Sequence, residues 1–248
     1  MHFPAGRVRL LLAGVTEELP ERLEISEIFE SIQGEGPSTG RPGLFLRLAG
    51  CNLACDFCDT RYAWDWDRFD RHQESISLEL DEIAERVRSS RTRRLIVTGG
   101  EPLLQQVALG HLLEGLVADV QVELETNGTR VPSPTLARHV AQFNVSAKLS
   151  NSGQPLERRL HGAALLALRD TEHAWLKLTV QTDADIEEAD RLVSQLDWPP
   201  QRVCLMPLAN SAQELHSRAP RVAAACVARG FTYSHRLQLE LFEGRRGH

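Results

Sequence analysis

Short apolar or alternating segments recur along the chain with helical segments between them, and this alternation constrains the fold more than any other feature. The predicted strands are residues 25–32, 44–48, 94–98, 120–126, 142–146, 176–180, 203–206 and 237–242. Alternating strands and helices predict parallel βαβ units. The sequence therefore predicts an α/β fold in the form of a partial, open β/α barrel.

Two predicted helices show a clear apolar stripe. One has Leu80, Ile83, Ala84 and Val87 behind a Ser77 cap, and the other runs from residue 186 to 196. Further helices are predicted at 103–117, 134–140, 156–168 and 211–229, the last with a kink at Pro220 and a stop at Gly230.

Composition limits the class of protein. A chain of 248 residues with 42% hydrophobic residues can bury one large core, so a single domain over 24–248 is expected behind an N-terminal extension at 1–23. The net charge of -6 argues against a nucleic-acid surface. The apolar run at 10–15 is too short for a signal core and nothing suggests a membrane span, so a cytoplasmic protein is expected.

Three of the five cysteines lie within eight residues. Cys51, Cys55 and Cys58 have the spacing CxxxCxxC on a loop after a predicted strand, while Cys204 and Cys226 are isolated in apolar segments typical of buried cysteines. Iron–sulfur clusters usually take four cysteines, so three ligands would leave one iron open to another molecule. The alternative is a structural zinc site completed by a distant residue such as His72, although no second ligand pair is present.

Polar residues share one face of two predicted strands. Glu123 and Glu125 alternate with apolar neighbours, as do Lys177 and Thr179, so these side chains are expected to face the barrel interior. A purely structural barrel is filled with branched apolar side chains. The polar interior therefore predicts a binding site.

The cysteine loop resembles that of the radical S-adenosylmethionine (SAM) superfamily, and a second motif supports the resemblance. The strand at 94–98 runs into Gly99, Gly100 and Glu101, which look like the superfamily's GGE motif. The resemblance implies a [4Fe-4S] cluster on the three cysteines and a cofactor, SAM, whose amine and carboxylate chelate the fourth iron. Phe57 matches the aromatic position that borders the adenine.

The segment at 28–50, IFESIQGEGPSTGRPGLFLRLAG, is similar to the 7-carboxy-7-deazaguanine synthase family. This narrower resemblance covers residues 24–247 and implies the site residues. Substrate contacts are implied for Ile32, Gln33, Gly34, Glu35, Arg47, Thr98, Glu125 and His235. Cofactor contacts are implied for Gly99, Gly100, Glu101, Ser146, Ala147, Lys148, Met206, Pro207, Leu208 and Ala209, with Ala147 standing where the family commonly has proline. Thr60 matches a Mg²⁺ ligand, and a hydroxyl beside a substrate carboxylate suits a hard cation.

The resemblance also implies the reaction and the partners. The family converts 6-carboxy-5,6,7,8-tetrahydropterin to 7-carboxy-7-deazaguanine with loss of ammonia, a step toward queuosine and other 7-deazapurines. It implies a homodimer and an electron donor such as a flavodoxin. Two rival functions are a glycyl-radical activating enzyme, which shares the cysteine spacing, and a zinc-binding module without catalysis.

The segment AWDWDRFD at 63–70 follows the cysteine loop directly and is both aromatic and acidic. Two interpretations are equally compatible with it: a cover over the site, or a solvated loop anchored by its two tryptophans.

Overall fold

A computed structural model describes residues 21–116 and 119–248, and it contains a nine-stranded sheet that does not close. The strand order is β3-β1-β2-β4-β5-β6-β7-β8-β9. The strands are β1 (Arg22–Ile32), β2 (Pro42–Leu48), β3 (Ile76–Glu79), β4 (Arg94–Gly99), β5 (Gln121–Thr126), β6 (Gln142–Val145), β7 (Ala174–Val180), β8 (Val203–Pro207) and β9 (Thr232–Tyr233). From β2 to β9 all neighbours are parallel, while β1 pairs antiparallel with β2 and β3. The predicted partial β/α barrel is confirmed.

Helices follow most of the parallel strands. They are α1 (Arg71–Glu74), α2 (Leu80–Ser89), α3 (Gln106–Glu114), α4 (Pro134–His139), α5 (Leu156–Arg159), α6 (Gly162–Arg169), α7 (Asp183–Gln195), α8 (Ala212–Arg229) and α9 (Leu237–Phe242). The apolar stripes of α2, α3, α6, α7 and α8 pack on the outer face of the sheet, where one continuous core contains the buried side chains of β2, β4, β5 and β7. Among the described residues, no helix is long and apolar enough to cross a bilayer.

Capping chemistry sets several helix ends. Ser211 accepts a hydrogen bond from the Glu214 amide at the start of α8, and Gly230 ends that helix with a φ of 69°. Helix α8 runs through Pro220. At α7, Thr182 and Asp185 form a reciprocal capping box.

Four predictions of local structure were wrong. Residues 237–242 form helix α9 and not a strand, because the Leu237 amide bonds to the Gly34 carbonyl outside the sheet and Leu239 packs with Ala209 and Leu215. Ser77 does not cap α2, since it lies in strand β3 and accepts a hydrogen bond from Arg22.

The other two concern helix continuity. Residues 156–168 are divided into α5 and α6, and residues 102–105 form a 3₁₀ turn before α3. Strand β1 begins at Arg22, so the last two residues of the predicted 1–23 extension belong to the sheet. Residues 1–20 and the end of the predicted 103–117 helix lie outside the described residues.

Candidate active site

A cavity of about 420 Å³ opens at the carboxyl ends of the parallel strands. This end of a β/α barrel is where the strands deliver side chains from several directions to one space. The predicted site residues that line it are Ile32, Gln33, Gly34, Glu35, Arg47, Cys51, Cys55, Phe57, Cys58, Thr60, Thr98, Gly99, Gly100, Glu125, Ser146, Lys148, Met206 and Leu208. Glu101, Ala147, Pro207, Ala209 and His235 are outside this lining.

The cysteine loop leaves strand β2 and is fastened on both sides. The Gly50 amide donates to the Ala63 carbonyl at 2.7 Å, and the Asp56 amide donates to the Ser152 carbonyl at 3.1 Å. Two guanidinium groups also hold loop carbonyls, from Arg61 to Asp56 and from Arg158 to Asn52, both at 2.8 Å. The loop geometry is therefore set by the protein.

Burial favours the protonated form of two of the three cysteine thiols in the loop. It raises the pKa of Cys51 to about 11 and also raises the pKa of Cys55. Metal binding must displace these protons, because thiolates are the ligands. In the part of the chain that the structure describes, no three His, Cys, Asp or Glu side chains approach closely enough to hold a single metal ion. A cubane cluster spaces its three cysteine sulfurs more widely than one ion does, so three thiols around one cavity fit the cluster.

The glycine pair is required by close backbone packing. A Cβ on Gly99 would lie 2.1 Å from the Leu48 carbonyl oxygen, and one on Gly100 would lie 1.9 Å from that of Gly50. The φ of Gly99 is +135°, which side chains disfavour. Any Cβ here would displace the start of the cysteine loop, so the two motifs form one structural unit.

The side chain of Glu101 connects the glycine turn to the end of strand β5. Its fully buried carboxylate accepts hydrogen bonds from the amides of Leu103 and Asn127 at 3.0 and 2.7 Å and from the Thr126 hydroxyl at 2.8 Å. Burial raises the pKa of Glu101 despite these bonds. The side chain thus joins the end of β5 to the glycine turn and does not face the cavity.

The predicted SAM-binding segment presents Ser146 and Lys148 to the cavity. The Lys148 ammonium donates to the Ser146 hydroxyl at 2.8 Å, and the Lys148 carbonyl accepts from Arg159 at 2.9 Å. The Ala147 side chain between them is buried in the core. Alternation therefore directs only two of the three side chains toward a ligand.

Glu125 is at the centre of the polar wall. The Thr98 hydroxyl donates to one of its carboxylate oxygens at 2.7 Å and the Gln33 amide donates to the other at 3.2 Å. Lys177 lies 3.8 Å away. The neighbouring Glu123 also faces the barrel interior, but it is fully buried in a lower layer, where it pairs with Arg94 and accepts from Ser38.

Glu35 is surrounded by cationic and amide groups. Its carboxylate pairs with Lys177 at 2.6 Å and Arg236 at 3.1 Å, and it accepts from Gln238 at 2.7 Å. Burial alone would raise the pKa of Glu35, but the charges of Lys177 and Arg236 hold it well below its ordinary value. The carboxylate is therefore ionised at neutral pH and fixes both cations beside the cavity.

Arg47 extends from β2 to the cavity, where its guanidinium group can bind a ligand. Its Nε donates to Glu27 at 2.7 Å, and in the described residues no hydrogen bond uses its two terminal nitrogens. Tyr62 and Arg246 also bond to Glu27, each at 2.8 Å. Arg246 stacks over the Tyr62 ring at 3.6 Å, which brings the C-terminal residues into the cavity wall.

His235 lies away from the cavity, where its ring nitrogens contact Tyr233 at 3.3 Å and Glu240 at 3.7 Å. Its neighbour Arg236 lines the cavity instead. No sequence pattern identified Arg236 or Tyr62 as lining residues. Asn127, which alternation places on the same polar face as Glu125, also lines the cavity.

The open parallel barrel and the three-cysteine loop at its carboxyl end define the radical SAM class, and residues 46–150 match the Radical SAM superfamily. That class carries a [4Fe-4S] cluster and uses SAM. The chain belongs to the 7-carboxy-7-deazaguanine synthase family. It is 38% identical to the synthase of Pyrobaculum aerophilum, over 91% of this chain and 97% of the relative.

Two further proteins support this family assignment. The synthase of Hyperthermus butylicus is also 38% identical, over 90% of this chain and 94% of the relative. The crystal structure of QueE from Escherichia coli is similar with a TM-score of 0.65 at 26% identity, over 86% of this chain and 93% of that one.

Proposed function

We propose that this chain converts 6-carboxy-5,6,7,8-tetrahydropterin to 7-carboxy-7-deazaguanine with loss of ammonia. The observation that carries the proposal is one cavity shared by the cysteine loop on one side and Gln33, Thr98, Glu125 and Arg47 on the other. Polar groups that converge on one pocket fix the orientation of a small ligand. The curated relatives named as this synthase supply the reaction.

The residues that line the cavity have different chemical roles in the proposed reaction. Cys51, Cys55 and Cys58 would hold the cluster, which would supply the electron for reductive cleavage of SAM. Glu125 and Gln33 are suited to the polar edge of a pterin, since a carboxylate accepts ring N–H bonds and an amide both donates and accepts. Arg47 offers a planar fork that fits the substrate carboxylate. Their share of catalysis is to hold the reacting carbon near the cofactor and exclude water.

We further infer that Mg²⁺ binds between Thr60 and the substrate carboxylate. Thr60 lines the cavity and its hydroxyl is 3.7 Å from Cys58 Sγ, so a cation there would lie beside the cofactor. Oxygen ligands suit Mg²⁺. A cytoplasmic homodimer and a flavodoxin-like electron donor are proposed on the family's pattern alone.

The test is an anaerobic incubation of the reconstituted protein with 6-carboxytetrahydropterin, SAM, Mg²⁺ and a strong reductant, with mass analysis of the products. We expect 7-carboxy-7-deazaguanine, and we expect the Cys55→Ala variant to form none because it loses a cluster ligand. Cys204→Ala is the matched control, since that buried thiol is remote from the loop in sequence and outside the cavity lining.

The products separate the rival functions. Formation of 5'-deoxyadenosine without the deazaguanine would support radical SAM chemistry but exclude the pterin as the substrate. That result would favour an activating enzyme that acts on a protein backbone. Zinc without sulfide in the purified protein would reject the radical chemistry as well.

Arg47→Lys is expected to lower kcat/KM for the pterin by about tenfold or more, because a lysine cannot form the paired hydrogen bonds that a guanidinium gives a carboxylate. A charge-assisted hydrogen bond contributes about 1.5–3 kcal/mol. Steady-state kinetics check this, with the exposed Arg41→Lys as the control on the loop before the same strand. An unchanged kcat/KM would remove Arg47 from the substrate site.

A further inference from the structure

Trp64 lies beside the cysteine loop, and its indole N–H meets a cysteine sulfur. Trp64 Nε1 is 3.2 Å from Cys58 Sγ, and both residues line the main cavity. The indole nitrogen can only donate. With Cys58 as a thiolate ligand, the contact is a charge-assisted N–H···S hydrogen bond.

Neighbouring backbone bonds fix the indole in this position. The Trp64 amide donates to the Arg61 carbonyl at 3.0 Å, and the fully buried Ala63 accepts from Gly50 at 2.7 Å. The segment that contains Trp64 is therefore joined to the first residues of the cysteine loop. Trp64 fits part of each interpretation of segment 63–70, because it lines the cavity as a cover would and its indole also anchors the segment at Cys58.

We propose that Trp64 raises the reduction potential of the cluster through this hydrogen bond. Hydrogen bonds to the ligand sulfurs are one of the factors that set the potential of an iron–sulfur cluster. A donor stabilises the reduced cluster more than the oxidised one, because the reduced cluster has one more negative charge. One electron from a low-potential donor enters the cluster and no proton moves.

Trp64 is the donor whose effect a substitution can isolate. The Leu53 amide also donates to a loop sulfur, at 3.4 Å from Cys51 Sγ, but a backbone donor cannot be removed by changing a side chain. Thr60 is more distant from Cys58 Sγ, at 3.7 Å. The inference rests on the cluster in the proposed function and is independent of the pterin substrate.

Trp64→Phe keeps an aromatic ring and removes the N–H. Trp66→Phe is the matched control in the same segment, since the Trp66 ring lies under Arg71 at 5.9 Å. We expect EPR-monitored redox titration of the reconstituted full chain, without substrate, to give a more negative midpoint for Trp64→Phe. The expected change is about tenfold in the ratio of reduced to oxidised cluster, or about 59 mV for one electron. Trp66→Phe should match the wild type.

An unchanged midpoint in Trp64→Phe, or an equal change in Trp66→Phe, would overturn the inference. If Trp64→Phe assembles no cluster, pulsed EPR of the reduced wild-type protein labelled with ¹⁵N-tryptophan decides. A ¹⁵N coupling that persists in Trp66→Phe supports the hydrogen bond, and its absence rejects it. If the wild type forms the deazaguanine and Trp64→Phe has the wild-type midpoint potential, this inference is rejected and the proposed function stands. If the wild-type protein gives no reduced-cluster signal, the proposed function is rejected as well.

Discussion

Gly100→Ala is expected to abolish product formation and most cluster binding while the fold survives. The new Cβ would lie 1.9 Å from the Gly50 carbonyl oxygen, 2.5 Å from its carbon and 3.0 Å from the Cys51 amide nitrogen. All three are backbone atoms, so only movement of the chain can relieve the overlap. That movement involves Gly50 and Cys51 at the start of the cysteine loop, and a displacement of about 1 Å at a reacting centre can cost about 100-fold in rate.

The stability cost of the same variant should be moderate. Overpacking a close contact typically costs about 1–3 kcal/mol, which for a chain of this size lowers Tm by several degrees. Iron and sulfide content after reconstitution, product yield and thermal unfolding measure the three effects separately.

Gly162→Ala is the matched control for this substitution. Gly162 is exposed at the start of α6 and a Cβ there meets nothing within 4 Å, so the same chemical change adds no overlap. Full iron content and activity in Gly100→Ala would show that the glycine turn and the cysteine loop move independently. That result would contradict the interpretation of the two motifs as one unit.

Short apolar or alternating runs predicted the parallel strands well, because these strands are buried along most of their length. Alternation failed at residues 237–242, where Leu237, Leu239 and Leu241 alternate as a strand would. Only Leu239 is buried, and Leu241 is exposed. The segment follows the two-residue edge strand β9, and its first amide bonds to Gly34 on a distant part of the chain. Such a contact depends on the tertiary structure, which a local pattern cannot contain.

The site was predictable where its residues are adjacent in sequence. Cys51 to Cys58 and Gly99 to Glu101 are contiguous motifs, and alternation indicated that Glu125 and Lys177 face the interior. The place of Arg236 in the site was not predictable, because it depends on an ion pair with Glu35. Glu35 lies 201 positions earlier in the chain. No local signal distinguishes Arg236 from the many other arginines.

Lys177→Met is expected to destabilise the protein by about 3 kcal/mol at neutral pH, the lower end of the cost of breaking a buried ion pair. Lys177 is 4% exposed and lies between the carboxylates of Glu35 and Glu125. Methionine retains the bulk and removes the charge. Glu35 keeps Arg236 and Gln238 as partners, which limits the loss, while Glu125 loses the cation nearest to it.

The effect should depend on pH in a defined direction. In the wild type the pKa of Glu35 is lowered, so its contribution is present above its unfolded pKa of about 4.5 and is lost as the pH falls further. Burial alone would lower the pKa of Lys177, but the charges of Glu35 and Glu125 raise it, so the contribution of Lys177 is lost only at strongly alkaline pH. In Lys177→Met the pKa of Glu35 should rise toward its ordinary value, because Arg236 and Gln238 remain but the Lys177 charge is gone. Protonation of Glu35 then costs the folded variant less than it costs the wild type, so the difference in unfolding free energy should be largest near pH 7 and narrow as the pH falls below about 4.5.

Chemical denaturation across this pH range measures the difference, and Lys148→Met is the control for unfolding free energy. Lys148 is the other lysine of the chain, and its ammonium bonds to the Ser146 hydroxyl and to no carboxylate among the described residues. It should show no comparable pH dependence. Adding Glu35→Gln to Lys177→Met removes the carboxylate that has lost Lys177 and leaves Arg236 paired with Asp59, so the two changes should cost less together than their sum. Strict additivity, or a loss that stays constant from pH 8 down to pH 3, would mean that packing and not charge gives Lys177 its role.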